Sequence, residues 1–94
     1  MTYVDHFGPH RALGVKAIHK IRWRKPTDRG ATIRERASTC SCRATVYSLL
    51  TAGGLMFIRR FVDEDGEVEV RDSPWVRPVE AEEVWESLLK GHAV

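Results

Sequence analysis

Cys40 and Cys42, separated only by Ser41, are the side chains whose type and spacing most directly suggest chemistry. Thiolates bind borderline and soft metals, and neutral imidazoles complete such sites. A structural zinc site takes about four ligands, of which this pair supplies two. His6 and His10 would complete a set of two cysteines and two histidines, with His19 as a further candidate. The spacing is not that of a zinc finger, where a wider gap between the cysteines is the signature. The plainer reading makes Cys40, Cys42, Ala44 and Val46 small apolar side chains on one buried strand face, because residues two apart on a strand share a side. On that reading neither a metal nor any other cofactor is expected.

A run of cations is the second feature. Residues 1–46 carry ten Lys and Arg against three acids, net +7, while residues 47–94 carry five against ten, net −5. The overall charge of +2 conceals this division. A basic half attracts polyanions and an acidic half repels them, so a nucleic-acid contact would be one-sided. Lys20, Arg22, Arg24, Lys25, Arg34 and Arg36 are the candidate contacts, with Trp23 among them as a group able to stack on an unpaired base. The competing readings turn Trp23 into the core and pair the basic half with the acidic half, within one chain or across a homodimer.

Arg59 and Arg60 are neighbours on an apolar run, so on a strand they face opposite sides. They are candidates for a partner interface, or for pairing with Glu67, Glu69 or an acid of the C-terminal helix. No nucleophile, base and orienting group can be placed together, and Gly53–Gly54 precedes a strand rather than a phosphate-binding helix. The chain is therefore read as non-catalytic.

These side chains must be positioned by a short list of elements. Ninety-four residues, 43% hydrophobic and 30% charged, match one small folded domain in length and composition. No apolar run is long enough to span a bilayer, and the polar start lacks a signal-peptide core. Ala81, Val84, Trp85, Leu88 and Leu89 share one helical face, Pro78 suits a first turn, and Lys90–Gly91 suits an end; a helix over 78–90 follows. Residues 41–72 read as a three-stranded antiparallel meander turning at Gly53–Gly54 and at Asp65–Gly66. Residues 11–37 read as a basic hairpin from the alternation of Val15, Ala17, Ile21 and Trp23 with cations, or as a helix, with alternation favouring the hairpin. Residues 1–10 read as an arm. The expected architecture is α+β: an antiparallel sheet of three to five strands with the helix on one face, Trp85, Leu88 and Leu89 meeting Val46, Leu50, Phe57 or Phe61, and Val68 or Val70.

The strings Cys40–Ser41–Cys42, Tyr47–Ser48–Leu49, Ala52–Gly53–Gly54–Leu55 and Phe57–Ile58–Arg59–Arg60, followed by Ala81–Glu82–Glu83–Val84–Trp85, resemble a run found in short uncharacterised actinobacterial proteins of mobile elements and phages. The resemblance covers roughly residues 40–91. It implies a bacterial or phage cytoplasmic setting, where thiols stay reduced, and carries no activity with it. The sequence thus leads to a small nucleic-acid-binding or regulatory accessory protein. The alternative is a protein–protein adaptor or inhibitor docking its basic half on an acidic partner, or on its own acidic half in a homodimer.

Overall fold

Two tight turns organise the sheet. In the computed structural model, β2 (Thr45–Ala52) and β3 (Leu55–Glu64) are joined by Gly53–Gly54, and β3 and β4 (Glu67–Asp72) by Asp65–Gly66. All four turn residues have positive φ, from 53° at Asp65 to 86° at Gly66. Two such residues in succession match the twist of the flanking strands, which explains why glycine dominates these positions. β1 (Arg34–Ser38) adds on the far side of β2, giving a four-stranded antiparallel meander in the order β1-β2-β3-β4. The structure describes residues 10, 12, 17, 19–26, 32–40 and 42–94.

α1 (Pro78–Leu89) follows and packs on β2 and β3, so the fold is α+β as the sequence suggests. Pro78 opens the helix. At its other end Gly91, at φ 81°, donates its N–H to Leu88, and His92 donates to Ser87. This pair of bonds satisfies carbonyls the helix would otherwise leave open.

The helix takes the opposite face of the sheet from the one expected. Ala81, Trp85 and Leu88 pack with Tyr47, Leu49, Met56 and Ile58, whereas Leu50, Ala52 and Phe57 form a second cluster on the other face. Doublets such as Leu49–Leu50 and Phe57–Ile58 make both faces apolar, so alternation does not select one. The second cluster is closed by Trp75, whose ring stacks on Phe57 at 4.6 Å and 5°. Trp75 reaches it because the chain beyond β4 stays paired with β3: Met56 and Val76 exchange backbone hydrogen bonds, and Ser73 N–H donates to Ile58.

The N-terminal segment corrects the expected hairpin. Residues 19–24 run along the end of the chain and the end of β4, not along residues 31–37. His19 N–H donates to His92, Ile21 N–H to Val94, and Val94 N–H to His19. Arg24 and Asp72 exchange backbone bonds at 2.8 and 2.9 Å. Ile21 is buried in the helix-side core, with Trp23 packed against it. The described part of this segment pairs through isolated bridges with partners about fifty to seventy residues away, beyond any local signal. Residues 27–31, where the expected hairpin would turn, residues 1–9 of the expected arm at 1–10, and the candidate ligand His6 lie outside the described residues.

Candidate functional site

The six candidate cations fall on two parts of the fold. Lys20, Arg22, Arg24 and Lys25 lie on the N-terminal segment, whereas Arg34 and Arg36 lie on the edge strand β1. Arg24 is bridged to Asp72 at the end of β4, the edge opposite β1. The single ribbon expected from sequence is therefore divided. All six side chains are exposed. β1 also shifts register against β2 between Glu35 and Ala37, which places Arg36 at a bulge. Bulges and charges are common on edge strands because they discourage pairing with another chain.

Trp23 serves the fold. Its ring lies 6.0 Å from that of Tyr47, and the Arg60 guanidinium sits 4.7 Å from its centroid. The ring is thus engaged by protein groups, and its Nε1 is buried without an acceptor among the described residues. Arg59 and Arg60 are likewise held internally, on opposite faces of β3. Arg59 makes a two-point pair with Asp72, at 2.7 and 3.1 Å. Arg60 lies 3.8 Å from Glu69, which also pairs with Arg71 at 3.3 Å. Sequence reasoning named Glu69 as a partner for these arginines but not Asp72, whose place opposite Arg59 follows only from the β3–β4 register.

Cys40 and Cys42 do not lie on a strand. They occupy the connection between β1 and β2, with Cys40 1% exposed and Cys42 and Ala44 exposed, so the shared buried face expected from their spacing is not formed. A turn re-aims the two side chains where a strand would have kept them parallel. His10 joins them: its Nε2 lies 3.0 Å from the Cys42 sulfur. Neither cysteine is in a disulfide. The hydrogen bond that the Cys42 thiol donates to Cys40, together with desolvation, pushes that thiol above its ordinary pKa of 9.0, against a weaker opposing effect of the Arg43 charge.

A hollow lies between the N-terminal segment and α1, about 240 Å³ and lined chiefly by Ile21, Ile58, Pro74, Val76, Ala81 and Val84. Its wall is almost wholly apolar and presents no convergent reactive groups. Among the described residues no helix is long and apolar enough to cross a membrane. No family model matches this chain, and no match is found among curated proteins or solved structures. Fold and site together define a small α+β domain with exposed cations on its N-terminal segment and first strand.

Proposed function

We propose that this chain is a small, non-catalytic nucleic-acid-binding accessory protein whose N-terminal segment and first strand contact phosphates. The distribution of its charges carries this reading. All four ion pairs among the described residues fall within residues 59–80: Arg59–Asp72, Arg60–Glu69, Arg71–Glu69 and Arg77–Glu80. The acidic half thus engages its own bases. Lys20, Arg22, Arg24, Lys25, Arg34 and Arg36 are exposed and take part in no ion pair among the described residues. Exposed cations without counter-charges create a field that attracts polyanions and releases their counterions on contact. Glu82, Glu83 and Glu86, exposed on α1, would keep the helix away from the polymer.

The test is a salt titration of binding to labelled duplex DNA, single-stranded DNA and RNA. Binding that weakens steeply with salt supports the reading. No binding to any of the three at low salt overturns it.

A second reading, an adaptor that engages a protein or a second copy of itself, draws on the sheet face opposite α1. There Val46, Phe61 and Val70 form a row across three strands and are only partly buried, and Val68 is 57% exposed. Analytical ultracentrifugation separates the two: a monomer that binds nucleic acid favours the first, a self-associating chain that ignores nucleic acid the second.

A further inference from the structure

We infer that His10, Cys40 and Cys42 form a zinc-binding site, with three protein ligands and a fourth position open to water or an external ligand. Their ligand atoms all lie within 4.8 Å of one another. Around a tetrahedral zinc, bonds of about 2.3 Å to sulfur and about 2.0 Å to nitrogen separate neighbouring ligands by roughly 3.3–3.8 Å. The cluster is close to that arrangement, and side-chain rotation is the adjustment it needs. Two thiolates and an imidazole suit zinc and disfavour calcium and magnesium, which take oxygen ligands.

Described backbone close to two of the ligands is hydrogen-bonded to the rest of the fold. Thr39, next to Cys40, donates its N–H to the Tyr47 carbonyl at 2.8 Å and accepts the Tyr47 N–H at Oγ1 at 2.9 Å. Ala12, two residues beyond His10, donates its N–H to the Leu89 carbonyl at 2.8 Å. The site is therefore shared between the β1–β2 connection and a segment held against the end of α1. A cavity of about 260 Å³ adjoins it, lined by His10, Thr39, Cys40, Arg43, Thr45 and Tyr47 among others, which leaves room for the fourth ligand.

Binding is an exchange of protons for metal. Each zinc forms two Zn–S bonds and one Zn–N bond, and the two thiol protons leave to solvent. The inference is independent of nucleic-acid binding, since none of the three ligands belongs to the proposed phosphate contacts.

The decisive experiment is a cobalt(II) titration of the full, reduced chain, followed by zinc competition. The expected result is one equivalent of cobalt, a tetrahedral visible spectrum, a thiolate-to-cobalt band in the near ultraviolet, and loss of both on adding zinc. Two protons should be released per zinc near pH 7, read by a pH indicator. His10 and Cys42 are exposed, so His10→Ala and Cys42→Ser test the ligands without opening the core. Each should weaken binding at least about tenfold, and Cys42→Ser should also roughly halve the charge-transfer band, since one of two thiolates remains. Absence of a stoichiometric tetrahedral spectrum overturns the assignment. So does a spectrum and affinity unchanged by His10→Ala.

Discussion

Arg59 and Asp72 face each other across β3 and β4 and are joined by two parallel hydrogen bonds, Nε to Oδ1 at 2.7 Å and Nη2 to Oδ2 at 3.1 Å. The Asp72 side chain is 3% exposed, and its backbone is also the residue to which Arg24 is bridged. One residue therefore ties the N-terminal segment to the sheet through its main chain and fixes β3 through its carboxylate. The pairing holds the Arg59 guanidinium above its ordinary pKa, chiefly through the hydrogen bond to Asp72.

Removing that carboxylate should be costly. Asp72→Ala leaves Arg59 without its partner and should lower unfolding free energy by about 3 kcal/mol, the low end for a broken buried pair, because the Arg59 side chain keeps 21% of its surface in water. Urea unfolding measures it. A folded-state pKa raised above the unfolded one gives stability that is complete below the unfolded value and fades only as pH rises through the folded one. The gap between wild type and Arg59→Leu should therefore stay constant from neutral pH to about pH 10. A gap that closes within that window would contradict the pairing.

Ser73 is a smaller test of the same edge. Its Oγ, in a residue 5% exposed, accepts the Ile58 N–H at 2.7 Å. Ser73→Ala strands that amide inside the sheet and should cost about 1–3 kcal/mol. A loss below a few tenths would show that another acceptor takes its place.

Trp85 is 7% exposed and belongs to the core between α1 and the sheet. Trp85→Ala should destabilise the fold by about 3–5 kcal/mol through lost burial and the cavity left behind. Chemical denaturation showing under about 1 kcal/mol would be inconsistent with this packing.

Gly66 separates backbone conformation from crowding. A Cβ built there would meet nothing within 4 Å, yet φ is +86°. Gly66→Ala should still cost about 1–2 kcal/mol, all of it conformational. An unchanged melting temperature would mean that the hairpin relaxes to another turn.

The two groups of cations can be weighed against each other in binding. Neutralising Arg34 and Arg36 should reduce the salt slope on duplex DNA by up to about two, and neutralising Lys20, Arg22 and Lys25 by up to about three. Unequal losses would show which part of the fold lies against the polymer. Equal affinity and slope in both variants would remove these residues from the contact.

Local chemistry made much of this architecture legible. Gly53–Gly54 and Asp65–Gly66 announce turns that require positive φ, and Lys90–Gly91 announces the end of α1. What stayed hidden depends on distance along the chain. Leu49–Leu50 and Phe57–Ile58 are apolar on both faces, so the side taken by α1 is settled by three-dimensional packing. The alternation through Ile21 and Trp23 marks an extended segment without naming its neighbour. His10 lies 32 residues from Cys42, and only the folded chain shows that the two meet. Their types had already marked them as candidate ligands, but no spacing rule connects them.

The pairing of residues 19–21 with residues 92–94 also bears on the order in which the molecule assembles. Two of the sheet's three hairpins close over two residues and can form early, whereas this junction joins stretches about seventy residues apart and should form later. Contacts made last through so few hydrogen bonds are also the first to open in the native state. Lys20 and Arg22 lie within or beside that junction, and His10 precedes it by nine residues. Hydrogen exchange at Ile21 and Val94 should therefore report an opening that leaves β2 and β3 protected, a local breathing where residues 19–21 meet residues 92–94.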